Sequence, residues 1–278
     1  MRVLVLGANG QVGRALTAAL PDAIGLTRAQ CDVADPTGVD WAAFDVVVNA
    51  AAYTKVDAAE TPQGRVDAWR TNAGGPAALA ARARAHGTTL VHLSSEYVFD
   101  GTHDGPIPET APVAPLGAYG ASKAAGDVAV VAGVERHYLV RPTWVVGDGA
   151  NFVRTMLGLA GRGIEPTVVS DQIGRPTFAV DIAAAIVHLV TTGAPFGTYH
   201  LTGGGEPASW ADVARATYAL AGRSELRVTG TSTAEYFADK PGTAPRPLNS
   251  VLDLGRIEAA GVVAPDWRQR LAEYVSAP

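Results

Sequence analysis

The stretch VLVLGANGQVG at residues 3–13 constrains the fold of this chain more than any other. Its apolar start is typical of a strand buried on both faces, and residues 11–20 continue with apolar positions at helical spacing. Gly7 permits a tight turn, Gly10 lets a pyrophosphate approach the helix N-terminus, and Gly13 lets helix and strand pack closely. The stretch therefore predicts a dinucleotide site, although the glycine spacing alone also fits a plain tight turn.

Apolar runs alternate with helical patterns along the first half of the chain. Because a crossover between parallel strands is right-handed, this alternation predicts a parallel sheet with helices on both faces and ligands at the carboxyl ends of the strands. The predicted fold class is a doubly wound α/β fold of the Rossmann type. Strands are predicted at residues 23–26, 45–49, 88–93 and 138–141, and helices at residues 71–86 and 117–133.

Glycine and proline become more frequent after about residue 151. We predict a dinucleotide-binding domain over residues 1–150, with returning segments from about residues 165–200. Residues 151–278 are predicted to form mainly a small C-terminal substrate-binding lobe. Amphipathic helices are predicted in this part at residues 180–190, 209–221 and 267–275.

The composition excludes several classes of protein. The 22 Lys and Arg against 27 Asp and Glu give a net charge of -5, which argues against a nucleic-acid partner. The single cysteine, Cys31, rules out an internal disulfide and a cysteine metal cluster. Neither a signal-peptide pattern nor an apolar run of about 18 residues is seen, so we expect a cytoplasmic protein without a membrane partner. The histidines show no i, i+4 ligand pair, and no metal site is predicted.

Tyr119 and Lys123 are four residues apart in a predicted helix and therefore project from the same face. A neighbouring cation favours the phenolate and lowers the pKa of the tyrosine, as an acid that works near neutral pH requires. Ser95 follows the fourth predicted strand, where a hydroxyl can donate to a substrate carbonyl oxygen. Each motif alone also has a structural explanation: a chance pair in a helix, or a serine that caps a strand end. Together, in this order, they favour a catalytic site.

Arg28 lies two residues after the second predicted strand, and no carboxylate follows until Asp32. An acidic residue at this strand end binds the ribose 2′-hydroxyl of NADH, whereas arginine accommodates the 2′-phosphate of NADPH. The sequence therefore favours NADPH, with NADH possible, and places Asp32 and Val33 at the adenine edge. The alternative is a solvated Arg28 that points away from the site.

In these motifs the chain resembles the extended short-chain dehydrogenase/reductases, and among them the dTDP-4-dehydrorhamnose reductase family. The resemblance implies NADPH-dependent reduction of the C4 ketone of a nucleotide-diphosphate sugar, a 4-keto-6-deoxyhexose, by a monomer or homodimer. The segments that carry it keep their order along nearly the whole chain. Besides the glycine stretch, residues 94–101 and residues 119–123, they are VNAAAYTKVDAAE, RPTWV, SDQIGRPT, YHLTGG and RPLNSVL at residues 48–60, 141–145, 170–177, 199–204 and 246–252.

The resemblance also implies roles for individual residues. Tyr119 would protonate the forming alkoxide, Lys123 would bind the nicotinamide ribose and hold the pKa of Tyr119 down, and Ser95 would hydrogen-bond the carbonyl. The substrate would contact Glu96, Tyr97, Trp144 as a flat apolar wall, Arg246 at the diphosphate, and Arg175, which could equally be a solvated lobe residue. The cofactor would contact Gly7, Asn9, Gly10, Gln11, Val12, Arg28, Asp32, Val33, Ala50, Ala51, Ala52 and Tyr53, besides Tyr119 and Lys123.

One departure concerns the magnesium-linked dimers of some family members. They carry an acidic residue two positions after the last glycine of the phosphate loop, where this chain has Ala15. Glu273 could match a second acidic position, and Val180 and Asp181 leave a third open. A metal-bridged dimer is therefore not predicted.

Four other functions are alternatives to this one. A sugar-nucleotide dehydratase needs a Thr-Asp-Glu run where this chain has Ser95, Glu96 and Tyr97, so elimination lacks its second carboxylate. Nothing positively indicates an epimerase or singles out a ketoreductase of a secondary-metabolite pathway, and both stay open. A regulatory subunit like that of methionine adenosyltransferase would bind NADP without turnover, but the intact Ser95, Tyr119 and Lys123 favour catalysis.

Overall fold

The computed structural model describes residues 1–277 and centres on a six-stranded parallel sheet. The strands are β1 (Val3–Leu6), β2 (Ile24–Leu26), β3 (Val46–Asn49), β4 (Thr89–Leu93), β5 (His137–Pro142), β6 (Val145–Val146), β7 (Thr167–Val169), β8 (Ile173–Gly174), β9 (Thr177–Phe178), β10 (Gly197–Leu201), β11 (Ala208–Ser209) and β12 (Thr229–Thr231). The sheet order is β10-β5-β4-β3-β1-β2, and every pairing in it is parallel. The order reverses between β1 and β3, which opens a crevice at the carboxyl ends of these strands.

Helices cover both faces of this sheet. They are α1 (Gln11–Ala19), α2 (Pro62–Trp69), α3 (Gly75–His86), α4 (Ala118–Gly133), α5 (Phe152–Gly161), α6 (Ala179–Thr192), α7 (Trp210–Leu220), α8 (Thr233–Phe237), α9 (Gly255–Ala259) and α10 (Trp267–Ser276). The core on one face includes α1 and α6, and the core on the other includes α3 and α4. β1, β3 and β4 are buried along their whole length, and β1 accordingly reads as a continuous apolar run, whereas β3 ends on Asn49 and β4 includes the buried Thr89 and His92. The predicted doubly wound α/β fold is confirmed.

The helix predicted at residues 71–86 begins nine residues earlier and contains a π-type turn over Arg70–Gly74. Thr61 caps its start by accepting a hydrogen bond from the backbone N–H of Gly64 at 3.1 Å. The buried Asn72 lies in the π turn, where its amide bonds to both backbone groups of Tyr53 and to the Ser122 hydroxyl. The turn therefore ties the loop after β3 to α4, a role that the helical pattern did not reveal.

The second half of the chain contributes to both parts of the molecule. α6 packs on α1, and β10 joins the sheet beside β5. The pairs β6-β9, β8-β11 and β7-β12 form small two-stranded sheets, and two separate apolar clusters hold α5, α7 and α10 together. β7 pairs with β12 and not with a strand of the main sheet. The chain therefore returns to the main sheet only at α6. The predicted domain limits remain a proposal. Over residues 1–277, none of the helices is long and apolar enough to cross a membrane.

Candidate active site

Two cavities open at the carboxyl ends of the central strands. The larger has a volume of about 630 Å³ and is lined by Ser95, Tyr119 and Lys123, among others. The smaller, of about 420 Å³, is lined by Arg28 and Val33, among others. Both cavities share lining residues from the glycine loop and from the loop after β3: Asn9, Gly10, Ala50, Ala52 and Thr54. The two cavities therefore form one trough across the phosphate loop, as an extended dinucleotide requires.

The glycine loop has the geometry that its spacing predicts. Gly7 has a positive φ of 78°, and a Cβ there would lie 2.7 Å from the backbone nitrogen of Ala51. A Cβ at Gly13 would overlap the carbonyl of Gly7. Gly10 is the N-cap of α1 and no side chain caps the helix, so its first N–H groups are available to a phosphate. The residues of this loop fit a pyrophosphate.

Three residues of α1 extend the phosphate loop toward the larger cavity. Gln11 accepts a hydrogen bond from the backbone N–H of Gly147 at 2.8 Å, and Val12 lines the cavity. Arg14 donates to the carbonyls of Asn9 and Asp148 and lines the same cavity. Arg14 was not among the predicted site residues. Its place in the first turn after the phosphate loop is a signal that could have found it, since a guanidinium can bind phosphate oxygens.

The smaller cavity is lined by Arg28 and Asp32, the residues predicted for the adenosine end of the cofactor. Arg28 lines the smaller cavity with Ala51, Tyr53 and Lys55, and so does Asp32. The Asp32 carboxylate already binds the Arg70 guanidinium at 2.7 Å. Partial burial raises the pKa of Asp32, but the N–H of Ala34 and the Arg70 cation outweigh it and hold this pKa below its usual range.

Helix α4 places Tyr119 and Lys123 through tertiary contacts at its N-terminus. Glu60 accepts a hydrogen bond from the backbone N–H of Ala118 at 2.7 Å and thereby caps the helix from another part of the chain. A Cβ at Gly120 would overlap the carbonyl of Tyr97, so this glycine lets α4 pack against the segment after β4. The Tyr119 ring meets the Tyr97 ring edge-on at a centroid distance of 5.4 Å.

The pKa of Tyr119 is raised, whereas the sequence predicts a lowered one. Burial and the negative charge of Glu96 raise its pKa, while the Ser95 hydroxyl acts in the opposite direction. Lys123 was expected to lower this pKa, but its ammonium donates to the Leu93 carbonyl at 2.6 Å and is itself 1% exposed. The structure therefore keeps Tyr119 protonated at neutral pH, which suits a proton donor.

Lys123 lies one helical turn before Asp127, which forms a buried ion pair with Arg141. Burial lowers the pKa of Lys123 to about 8, and the negative charge of Asp127, one helical turn further on, acts against this effect. Asp127 accepts a hydrogen bond from Arg141 at 2.9 Å, and the two side chains are 3% and 7% exposed. The Asp127 carboxylate therefore acts on Lys123, while Arg141 balances the charge of this carboxylate.

Ser95 and Glu96 lie at the end of β4. Ser95 begins a short 3-10 turn, and its hydroxyl oxygen accepts the backbone N–H of Tyr97 at 3.2 Å. The same hydroxyl shares a hydrogen bond of 2.7 Å with the Glu96 carboxyl. Glu96 lines the larger cavity and is 4% exposed, and burial raises its pKa to about 7. The serine therefore both caps its turn and lines the cavity, so the two interpretations of its position are compatible.

Trp144 forms part of an aromatic wall of the larger cavity. Its backbone has a positive φ of 41°, the one such value among non-glycine residues 1–277. Its ring stacks on Trp210 at 3.8 Å between centroids, and a Cβ at Gly174 would lie 3.0 Å from the ring. Both indoles line the cavity. Trp210 comes from the first turn of α7 and was not predicted, because nothing local marks that helix end as part of the site.

The two predicted substrate arginines have different surroundings. Arg175 does not line the larger cavity; its guanidinium donates to the carbonyls of Gly205 at 2.8 Å and Leu252 at 3.4 Å. These contacts agree with the alternative of a lobe residue, and its role at the substrate stays a prediction. Arg246 binds Asp57 at 2.8 Å, which joins the lobe to the loop after β3. Its role at the diphosphate stays a prediction.

The two acidic side chains considered as ligands of a shared metal, Asp181 and Glu273, form ion pairs with an arginine of the same chain. Arg270 binds Asp181 at 2.7 Å and Glu273 at 2.6 Å. Ala15 offers no carboxylate. Within residues 1–277 no group of three or more His, Cys, Asp or Glu side chains is arranged to hold a metal ion. That catalysis needs no metal stays a prediction.

Comparison with known proteins identifies the family. The family model described as the RmlD substrate binding domain matches residues 1–277. The chain belongs to this family. Among its relatives, a dTDP-4-dehydrorhamnose reductase of Burkholderia thailandensis is 41% identical, with 96% of each chain covered.

Solved structures agree with this membership. A dTDP-4-dehydrorhamnose reductase from Clostridium acetobutylicum matches with a TM-score of 0.90 and 36% identity, covering 99% of this chain and 98% of that one. A dTDP-4-dehydrorhamnose reductase from Bacillus anthracis, solved in complex with NADP, matches with a TM-score of 0.86 and 31% identity, covering 98% of each chain. These family members therefore share the whole fold, including the lobe.

Proposed function

We propose that this protein reduces the C4 ketone of dTDP-4-dehydrorhamnose with NADPH, in the biosynthesis of a deoxysugar. The observation that carries the proposal is the meeting of Ser95, Tyr119 and Lys123 in one cavity that continues into the trough across the phosphate loop. Relatives named as this reductase, one of them with NADP, support the choice of substrate and cofactor. The protein would work in the cytoplasm as a monomer or homodimer.

The residues of the site can perform the protein's part of such a reduction. NADPH, when bound, supplies the hydride. Tyr119 gives its phenolic proton to the substrate oxygen, and its raised pKa keeps that proton in place until negative charge develops there. The Ser95 hydroxyl donates a hydrogen bond to the same oxygen and stabilises this charge. Lys123 carries a positive charge beside them and binds the ribose of the nicotinamide.

The rest of the larger cavity accounts for the sugar nucleotide. The stacked rings of Trp144 and Trp210 offer a flat apolar surface to the deoxysugar. Glu96 and Tyr97 also line the cavity and would contact the sugar. Arg246 would bind the diphosphate by exchanging its contact with Asp57, since a guanidinium binds phosphate oxygens in fork geometry.

Reduction of a panel of 4-keto-6-deoxy sugar nucleotides tests the function. We expect NADPH consumption in proportion to product, with dTDP-4-dehydrorhamnose the preferred substrate and its product stereochemistry defined by NMR. Turnover without net NADPH consumption would indicate an epimerase instead. Binding of NADPH without turnover of any keto sugar would indicate a non-catalytic subunit.

Arg28→Ala tests the choice of cofactor. We expect Arg28 to bind the 2′-phosphate, since it lines the smaller cavity and the next carboxylate along the chain, Asp32, is paired with Arg70. A charge-assisted hydrogen bond is worth about 1.5–3 kcal/mol, which is a roughly ten- to hundredfold preference for NADPH over NADH. The variant should lose most of this preference through weaker NADPH binding, with NADH nearly unchanged.

The measurement is kcat/KM with each cofactor for both proteins. Arg84→Ala is the matched control, because this exposed arginine lies on α3 and outside both cavities. Equal efficiency of the wild-type enzyme with the two cofactors would show that Arg28 does not recognise the 2′-phosphate.

A further inference from the structure

The hydrogen bonds of Ser95 limit how this residue can act on a ketone. A serine hydroxyl has one proton to donate and two lone pairs to accept with. One lone pair accepts the backbone N–H of Tyr97, and the hydroxyl also shares its 2.7 Å hydrogen bond with Glu96. If Glu96 is a carboxylate, it can only accept, so it takes the single proton of Ser95 and leaves none for a ketone. If Glu96 is protonated, it can donate to the second lone pair.

We propose that Glu96 is a positioning residue that decides whether the Ser95 hydroxyl can donate to the substrate carbonyl. Protonated Glu96 donates its proton to the Ser95 oxygen, and the Ser95 hydrogen then points into the cavity. Ionised Glu96 accepts the Ser95 hydrogen and turns it away from the substrate. The inference deepens the proposed function and rests on it, because it assumes that Ser95 contacts the ketone.

The surroundings of Glu96 favour a proton on this carboxyl near neutral pH. Glu96, the first residue of the 3-10 turn, is buried, and within residues 1–277 it takes part in no ion pair with Lys or Arg. The charged and titratable groups nearby are Tyr97 on its own turn, Tyr119 and Lys123 on α4, Asp127 behind Lys123, His92 on β4, and the Arg246–Asp57 pair beyond Tyr97. The Lys123 ammonium is bonded to a carbonyl, and burial keeps the pKa of His92 well below its usual value, so His92 is neutral.

The pH dependence follows from these surroundings. Burial raises the pKa of Glu96 to about 7, and the Ser95 hydrogen bond acts against this effect. Glu96 is therefore protonated below about pH 7 and ionised above it, so the Ser95 hydrogen is available on the acid side. Ketone reduction should slow as the pH rises through about 7, well below the raised pKa of Tyr119.

The test is the pH profile of kcat for ketone reduction at saturating NADPH, in wild type and in Glu96→Gln. The wild-type rate should fall by about tenfold per pH unit above the break, until the contribution of one oxyanion donor, about 10²–10³-fold, is lost. A glutamine amide can donate to Ser95 at every pH. In Glu96→Gln the break near 7 should disappear, and the ratio of its rate to that of wild type should rise with pH.

Ser95→Ala provides the matched background, because it removes the group through which Glu96 acts. In that background Glu96→Gln should leave the pH profile unchanged. The inference would be overturned by a break near 7 that persists in Glu96→Gln, or by an equal effect of Glu96→Gln with and without Ser95.

A second measurement separates this inference from the proposed function. Carboxyl-carbon NMR of the protein without substrate should show Glu96 titrating near pH 7, and Ser95→Ala should raise that pKa because the hydrogen bond that lowers it is lost. If no keto sugar is reduced but this coupling is seen, the proposed function fails while the link between Glu96 and Ser95 stands. A Glu96 pKa that does not respond to Ser95→Ala would remove the link, whatever the enzyme reduces.

Discussion

Replacing Tyr119 with phenylalanine is expected to lower the rate of ketone reduction by about 10²–10⁴-fold, the usual contribution of a general acid. Phenylalanine keeps the ring that packs edge-on against Tyr97 and removes only the transferable proton. NADPH binding should therefore persist. The measurement is kcat in wild type and variant, with NADPH affinity determined separately.

Two further substitutions make this result specific. Tyr236→Phe, on α8 and outside the larger cavity, should leave the rate unchanged. Tyr97→Phe removes the other phenol of the cavity and should cost less than Tyr119→Phe, because Tyr97 is proposed to contact the sugar rather than to donate the proton. A larger loss in Tyr97→Phe, or a Tyr119→Phe enzyme that keeps most of the wild-type rate, would assign the proton to another group.

The second large effect is expected from Asp127→Ala, which should destabilise the protein by about 3–5 kcal/mol, as is usual when one partner of a buried ion pair is removed. The Arg141 guanidinium would lose its carboxylate while buried against the Phe99 ring, 5.2 Å away. His200 also faces Arg141, and burial, with Arg141 itself, lowers its pKa to about 3 and keeps it neutral. A neutral imidazole carries no negative charge and cannot replace the lost carboxylate.

Urea unfolding measures this effect, and two comparisons define its cause. The double variant Asp127→Leu with Arg141→Met removes both charges at similar volume and should recover most of the lost stability. Glu225→Ala breaks the exposed pair with Arg223 and should have little effect. A double variant as unstable as Asp127→Ala would show that the cost comes from lost packing rather than from an unpaired charge.

The local features of the site could be predicted from the sequence because short-range geometry governs them. The buried strand, the glycine turn and the helix follow from apolar periodicity and from backbone sterics at Gly7 and Gly13. Tyr119 and Lys123 share a face because four residues make about one helical turn, whatever surrounds them. Arg28 lies beside the cofactor trough because it follows the second strand of a dinucleotide fold.

The tertiary structure decided the features that depend on residues far apart in the chain. Glu60 caps α4 from 58 residues away, and Trp210 stacks on Trp144 across the lobe. Arg175 is turned toward two lobe carbonyls, and burial raises the pKa of Tyr119 where spacing alone predicted a lower one. Spacing determines which side chains share an element, whereas burial and the partners of each charge depend on how distant elements pack, and the packing sets the protonation state of the site.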